Sequence, residues 1–352
     1  MGELLEATVS ARQEVPVFFV VPDTIDDAAH VSGGNVYDQH IRDGLREQGR
    51  TVQTIPAADS RDRQAAHALA QLPDGALVLI DGLVAGREHA ALVYHSTRLH
   101  LVVLAHMPPG ESVGFRYAER VVATSHWTRA ELIEQDFADP HRIVVATPGT
   151  DSAAPTTASE SGGRLLCVAA VAPHKGQDLL ISALAGLADD EDWTCRLVGS
   201  LDVAPDFVAE LTAVVERVGL AERITLTGAL TGERLAAEYS HADLLVVPSR
   251  AESYGMVVGE AFARGIPVVA SGAGGLPEAV GSSGAGIIVP ADDAWALRVV
   301  LRQWLANPAR RHELNAAAQA ARDEMRPWAS TVAIIASTLD EIALIGRQEV
   351  NA

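Results

Sequence analysis

Apolar residues along the chain fall into short continuous runs separated by stretches with helical spacing. In the first half the runs cover residues 15–21, 51–55, 76–80, 99–105, 120–123 and 143–146. In the second half they cover 165–171, 194–198, 223–227, 244–247, 266–270 and 284–290. Runs this short, stopped by proline, glycine or charge, read as strands buried on both faces. Between them apolar residues recur every three or four positions, as in Val36, Tyr37, Ile41 and Leu45 before Gly49. Strand and helix in alternation predict parallel sheets with right-handed crossovers, an α/β fold. A chain of 352 residues is too long for one ordinary core and predicts two doubly wound, Rossmann-like domains. The small polar stretch 152–163, SAAPTTASESGG, reads as a flexible linker between domains 1–151 and 164–327. An amphipathic helix, 328–348, follows Pro327 and carries Val332, Ile335, Leu339, Ile342 and Leu344.

The densest chemistry lies in 243–278. Glu252 falls in the loop after the run 244–247, and Glu260, with seven residues between, falls on the helix predicted for 256–263. A second strand ends in Gly272-Ala273-Gly274-Gly275 and leads to a helix near Pro277. Such loops stand at the carboxyl ends of adjacent parallel strands, where open α/β sheets bind ligands. Glycines let backbone N–H groups approach an anion, whereas two glutamates repel one and instead grip vicinal hydroxyls. A sugar joined to a phosphate satisfies both. In the first half, Ser32-Gly33-Gly34-Asn35 before a helix is a weaker cradle, since a glycine pair there is most often a turn. His106 ends the run 99–105 at the ligand edge; the residue alone leaves a ligand role and a satisfied loop role equally open. Lys175, in a loop before a helix, suits phosphate, although surface lysines are common.

Composition narrows the class. The net charge of −19 argues against nucleic acid and against strong docking on anionic lipid. No apolar run approaches membrane-spanning length. Residues 1–14 are acidic and lack the pattern of a secretion signal, so the expected compartment is the cytoplasm. Cys167 and Cys195 fall in strands and read as small core residues. No His, Asp or Cys set shows metal-ligand spacing, so neither a metal nor a separate cofactor is expected.

Pro248-Ser249, Glu252, Gly255, Glu260-Ala261, Gly265-Ile266-Pro267 and Gly274-Gly275-x-x-Glu278 resemble the donor-site signature of retaining glycosyltransferases of family 4, of the group 1 type and the GT-B fold. About ten positions match in order. The resemblance implies two Rossmann-like domains facing a central cleft, with the terminal helix crossing back onto the first and Trp328 as its packing anchor. It implies retaining transfer of a sugar from a nucleotide donor, such as a UDP-, GDP- or ADP-sugar, to an acceptor hydroxyl on a small molecule or glycan. Carried over residue by residue, it places the ribose on Glu260 and the donor sugar on Glu252. Phosphate falls to Lys175, Gly34 and the backbone of Gly255, Met256 and Val257, with Ser253 and Tyr254 in the same loop. Gly199 ends a strand near the phosphates and Leu230 packs beside the base. His106 faces the transferred sugar, with Gly33, Gly34 and Tyr37 beside the reacting centre. Thr124-Ser125-x-x-Thr128 matches a strand end and helix cap, with Thr128 as the cap, and Thr147–Asp151 matches the turn that closes the first domain.

The chain departs from the pattern at Ala169-Ala170, where relatives carry Gly-Arg five residues before the lysine. Arg250 and Arg116 are the nearest substitutes in sequence. The departure keeps a non-catalytic partner subunit in view, and the fold keeps an epimerase or phosphorylase. The first domain is also lean, which suits a small or exposed acceptor. Oligomeric state is left open.

Overall fold

The computed structural model describes residues 15–27, 31–58, 64–108, 110, 114–188 and 192–350, with side chains to 344. The reading of residues 1–14 and Pro109 of the His106 loop lie outside these.

The first sheet contains β1 (Val17–Pro22), β2 (Val52–Ala57), β3 (Leu77–Asp81), β4 (His100–Ala105), β5 (Arg120–Ala123) and β6 (Ile143–Val145). The second contains β7 (Arg164–Val168), β8 (Thr194–Val198), β9 (Ile224–Gly228), β10 (Leu244–Val247), β11 (Val268–Ser271) and β12 (Gly286–Val289). Every strand pairing described is parallel. The first sheet runs β2-β1-β3-β4-β5-β6 and the second β12-β11-β10-β7-β8-β9. Strand order therefore reverses between β1 and β3 in one domain and between β7 and β10 in the other. Ligands bind outside the carboxyl ends of strands at such reversals.

The central strands β3 and β10 are buried at every position, which is why they are apolar throughout except for Asp81 at the end of β3. The helix Gly33–Glu47 starts at Ser32, whose side chain accepts from the Asn35 N–H, and it buries Tyr37, Ile41 and Leu45 along one face. The terminal helix Trp328–Val350 lies on this first domain and not on its own. Trp328, Val332, Ile335, Leu339 and Ile342 share a core with Tyr37, Ile41 and Leu45. Gly44 permits the approach, because a Cβ there would sit 2.5 Å from Val332 Cγ2. The chain crosses between domains twice, at 146–151 and 325–328, and the crossings touch: Thr150 N–H donates to the Arg326 carbonyl at 2.8 Å. His40 stacks on Trp328 at 4.0 Å and reaches Asp151 at 3.4 Å.

The stretch 152–163, expected as a flexible tether, is laced onto the second domain. Buried Asp243 accepts from the Ser159 backbone and hydroxyl at 2.7 and 2.6 Å, and Trp304 and Arg311 donate to the carbonyls of Gly162 and Glu160. Small polar residues read alike whether water or protein takes their hydrogen bonds, so composition alone misjudged this segment. Among the described residues no helix is long and apolar enough to cross a membrane.

Candidate active site

In the second domain three loops are locked together by close backbone approaches. After β7 the chain makes a turn, Pro173–Lys175, and enters the helix Gln177–Ala185 through Gly176, at φ +70°. A Cβ on Gly176 would lie 2.1 Å from the Pro248 carbonyl, so only glycine lets this loop touch the one after β10. That contact brings Lys175 Nζ to 2.7 Å from Glu252 Oε2. The loop after β11 locks the other side. Gly275 N–H donates to the Glu252 carbonyl at 2.9 Å, and a Cβ on Gly274 would fall 1.9 Å from that same oxygen. Ser253 and Tyr254 pack on Gly275, and Gly255 opens the helix Met256–Phe262. Val257 is half-buried against the second core. Gly199 ends β8 where a Cβ would strike the Ala169 carbonyl, so its role here is close packing.

Glu260 is half-buried on the helix one turn beyond Met256. Burial raises its carboxyl above the usual carboxylate range, with Tyr239 and Arg264 pulling the other way. It lines a cavity of about 450 Å³ between the domains, together with Leu230, Thr231, Met256, Arg264 and, from the first domain, Asn35 and His40.

In the first domain the glycine pair opens the helix Gly33–Glu47 and bridges the two halves. A Cβ on Gly34 would sit 3.3 Å from His106 Cδ2, and one on Gly33 would sit 3.9 Å from Met256 Sδ. His106 is not a free loop residue. Its Nε2 lies 2.8 Å from Asp38 Oδ1 and 3.3 Å from Asp81 Oδ2, and its ring meets Tyr37 edge-on at 5.2 Å. Burial opposes a charge on this imidazole, but the two carboxylates outweigh it and hold its pKa up at about 10. Burial raises Asp38 to about 6, with His106 lowering it and Asp81 adding to the rise. Asp81 does double duty, because its Oδ1 accepts from the Val84 N–H and caps the helix Gly82–Arg87.

Neither Asp38 nor Asp81 was picked out from sequence. Asp81 had a signal, a carboxylate closing an apolar strand at the ligand edge; Asp38, one turn after Gly34 on a helix with other polar residues, had none. These three residues also form a group whose ligand atoms lie within 4.8 Å of one another, close enough for a metal ion. Spacing along the chain hid that grouping, since its members come from three elements. An Nε2–H shared between two carboxylates accounts for the short contacts seen.

Two sequence expectations fail. Arg250 does not turn towards the site: it donates to both Asp178 oxygens at 2.7 Å and to Asp292 at 2.6 Å. Arg116 is paired with Asp136 at 2.6 Å. Neither replaces the arginine missing at Ala170, whose carbonyl instead accepts from buried Gln177. Thr128 is not the cap of the helix His126–Glu134. Ser125 is extended at φ −156° and its hydroxyl accepts from the Thr128 N–H at 2.8 Å.

Comparison with known proteins agrees with this geometry. Residues 151–321 match the family model described as glycosyl transferases group 1. A D-inositol 3-phosphate glycosyltransferase of Geodermatophilus obscurus is 36% identical over 226 residues, 58% of this chain and 50% of that protein. One from Catenulispora acidiphila is 33% identical over 270 residues, 68% of this chain and 64% of that one. The chain spans about half the length of the first of these curated relatives. Among solved structures, sucrose-phosphate synthase from Thermosynechococcus elongatus superposes with TM-score 0.78 at 20% identity, over 94% of this chain and 99% of that one. Anabaena HepE in complex with UDP-glucose gives 0.73 at 21%, over 93% and 99%. At these identities the likeness shows the fold, two wound domains of the GT-B type. Residues 151–321, just under half of the chain, thus carry the pattern of the glycosyl transferases group 1 family, within a two-domain fold of the GT-B type.

Proposed function

We propose that this protein transfers a sugar from a nucleoside diphosphate sugar to an acceptor hydroxyl with retention of anomeric configuration. The observation that carries the proposal is the placement of the two glutamates. Glu260 faces an interdomain cavity of about 450 Å³ that also holds Leu230, within the size range of small-molecule sites, while Glu252 pairs with Lys175 on the neighbouring loop. A ribose fits on Glu260 with its base against Leu230. The diphosphate displaces Glu252 from Lys175 and rests on that ammonium and on the backbone of Gly255, Met256 and Val257. Freed from the ion pair, Glu252 accepts from the sugar hydroxyls. The bond from the anomeric carbon to the diphosphate then breaks as the acceptor oxygen bonds to that carbon on the same face, its hydroxyl proton passing to the departing diphosphate, beside His106 and the glycine pair. Helix ends and Lys175 meet the charge on the leaving group, so the reading needs no metal and no cofactor beyond the donor. A cytoplasmic site of action and a small-molecule or glycan acceptor belong to the same proposal.

Thermal-shift measurements with UDP, GDP, ADP and TDP, alone and as their sugars, test it. One nucleotide in a hundredfold excess over its dissociation constant adds about 2.7 kcal/mol and raises the melting temperature by roughly 3 to 4 °C for a chain of this length. Lys175→Ala should abolish the shift with diphosphates while the unliganded melting temperature holds. An undiminished shift in that variant would overturn the phosphate assignment.

A further inference from the structure

Glu278 closes the sequence signature of the second domain yet has no part in the ligand scheme above. Its carboxylate reaches the other domain instead. Oε2 accepts from the backbone N–H of His126 at 2.8 Å and of Trp127 at 3.4 Å. These are the first two donors of the nine-residue helix His126–Glu134, groups that have no acceptor within their own helix. The next donor, Thr128 N–H, is satisfied locally by Ser125. A first-domain helix is thus capped half by its own N-cap and half by a second-domain carboxylate, whose charge has the sign that a helix amino end favours. On its own side Glu278 belongs to the turn Leu276–Val280, three residues after Gly275, whose N–H holds the Glu252 carbonyl. Leu276 fills the space left by the missing side chain of Gly255. One stiff turn therefore carries both the interdomain contact and the backbone support of Glu252.

We propose that Glu278 is a positioning residue, a latch that docks the second domain on the helix His126–Glu134 and so sets Glu252 and Lys175 against the His106 side of the cleft. The proposal rests on the transfer reading for its purpose, not for its geometry. When the cleft opens, water takes over both the carboxylate and the two N–H groups, which keeps the latch reversible.

The test uses the full chain with a fluorophore pair on one engineered surface cysteine in each domain; native Cys167 and Cys195 are buried. Interdomain distance is read without ligand and with UDP, GDP or ADP in excess. Glu278→Ala should lower the closed fraction roughly three- to tenfold, and KM for the donor should rise by the same factor with a smaller change in kcat. Glu278→Gln, which keeps an acceptor oxygen, should recover part of the loss. His126→Pro removes the facing donor at a position where a helix tolerates proline, after an already extended Ser125. Combined with Glu278→Ala it should do no further harm, because both changes break one contact. An unchanged closed fraction in Glu278→Ala, or additive losses in the double variant, overturns the latch. A changed distance in a chain that binds no nucleotide and transfers nothing upholds the latch and defeats the transfer reading.

Discussion

At the edge of the first sheet His106 is 12% exposed and its partners Asp38 and Asp81 are 0% and 2% exposed; at the edge of the second, Lys175 and Glu252 are 21% and 17% exposed. The first set is one cation between two buried acids, tied together by short contacts, with Asp38 Oδ2 left as a buried oxygen that has no hydrogen-bond partner. The second is a single pair at the cleft surface whose members can each be taken over by a ligand. Charge buried without its partner costs several kcal/mol, whereas a solvated pair exchanges partners at little cost. On the proposed function the contrast divides the work: the first domain holds a fixed group in place, and the second holds groups that a ligand would rearrange.

The largest effect should come from breaking the buried set. Asp38→Asn keeps the shape and removes one charge facing His106, leaving Asp81 to hold the imidazolium alone. It should cost about 2 kcal/mol of unfolding free energy at pH 7, somewhat under the full cost of stripping a buried ion of its only partner. Its pH signature is sharper. With the His106 pKa raised to about 10, the native state holds a proton that the unfolded chain gives up near 6.5. The stabilisation is therefore complete below pH 6.5 and drains away as pH rises towards 10, by on the order of 1 kcal/mol per unit at most. Urea unfolding at pH 7 and pH 9 should show that decline in the parent and a flatter line in Asp38→Asn. Equal slopes would mean that the carboxylate does not govern the histidine.

A smaller effect, in the opposite direction, is expected at the second edge. Ala170 is half-buried beside the Lys175 loop, and both candidate replacement arginines are engaged elsewhere. If the leaving diphosphate is short of a cation, Ala170→Arg should raise kcat roughly tenfold, less than the hundredfold or more that one preorganised donor is worth to a developing anion, because an introduced side chain is not held in place. A variant no faster than the parent would show that the second edge already has all the charge it needs.

How much of this could be read from sequence follows the same division. Residues 252–278 form a contiguous pattern, so their loops, glycines and carboxylates were legible before any fold was known. The His106 set was not, because Asp38, Asp81 and His106 come from a helix and the ends of two strands and meet only once β1, β3 and β4 lie side by side. Arg250 misled because nearness to Glu252 along the chain says nothing about Asp178, 72 residues away, which takes its guanidinium. Ser125 and Thr128 are both capping residues, and only the extended backbone at Ser125 decides between them. The alternation of apolar runs and helical spacing needed no such knowledge, and every strand it predicted is present to within a few residues.

The smallest expected effect tests where the two edges meet. Gly34 lies against His106 and Gly33 faces Met256, so this pair stands where the two domains face each other. A methyl on Gly34 would stand 3.3 Å from His106 Cδ2, tight but not a collision, and the position is helical, where alanine is preferred to glycine. Gly34→Ala should therefore leave stability within about 0.5 kcal/mol of the parent, helix propensity offsetting the crowding. The ring, pinned by Asp38 and Asp81, has little freedom to yield, so on the proposed donor placement the crowding would fall on the glycine backbone that faces phosphate. A few-fold loss in kcat/KM with an unchanged melting temperature is the expected result, about 1 kcal/mol of transition-state binding. A loss of stability with kinetics intact would reverse the assignment, making the glycine a packing device and the histidine the part that moves.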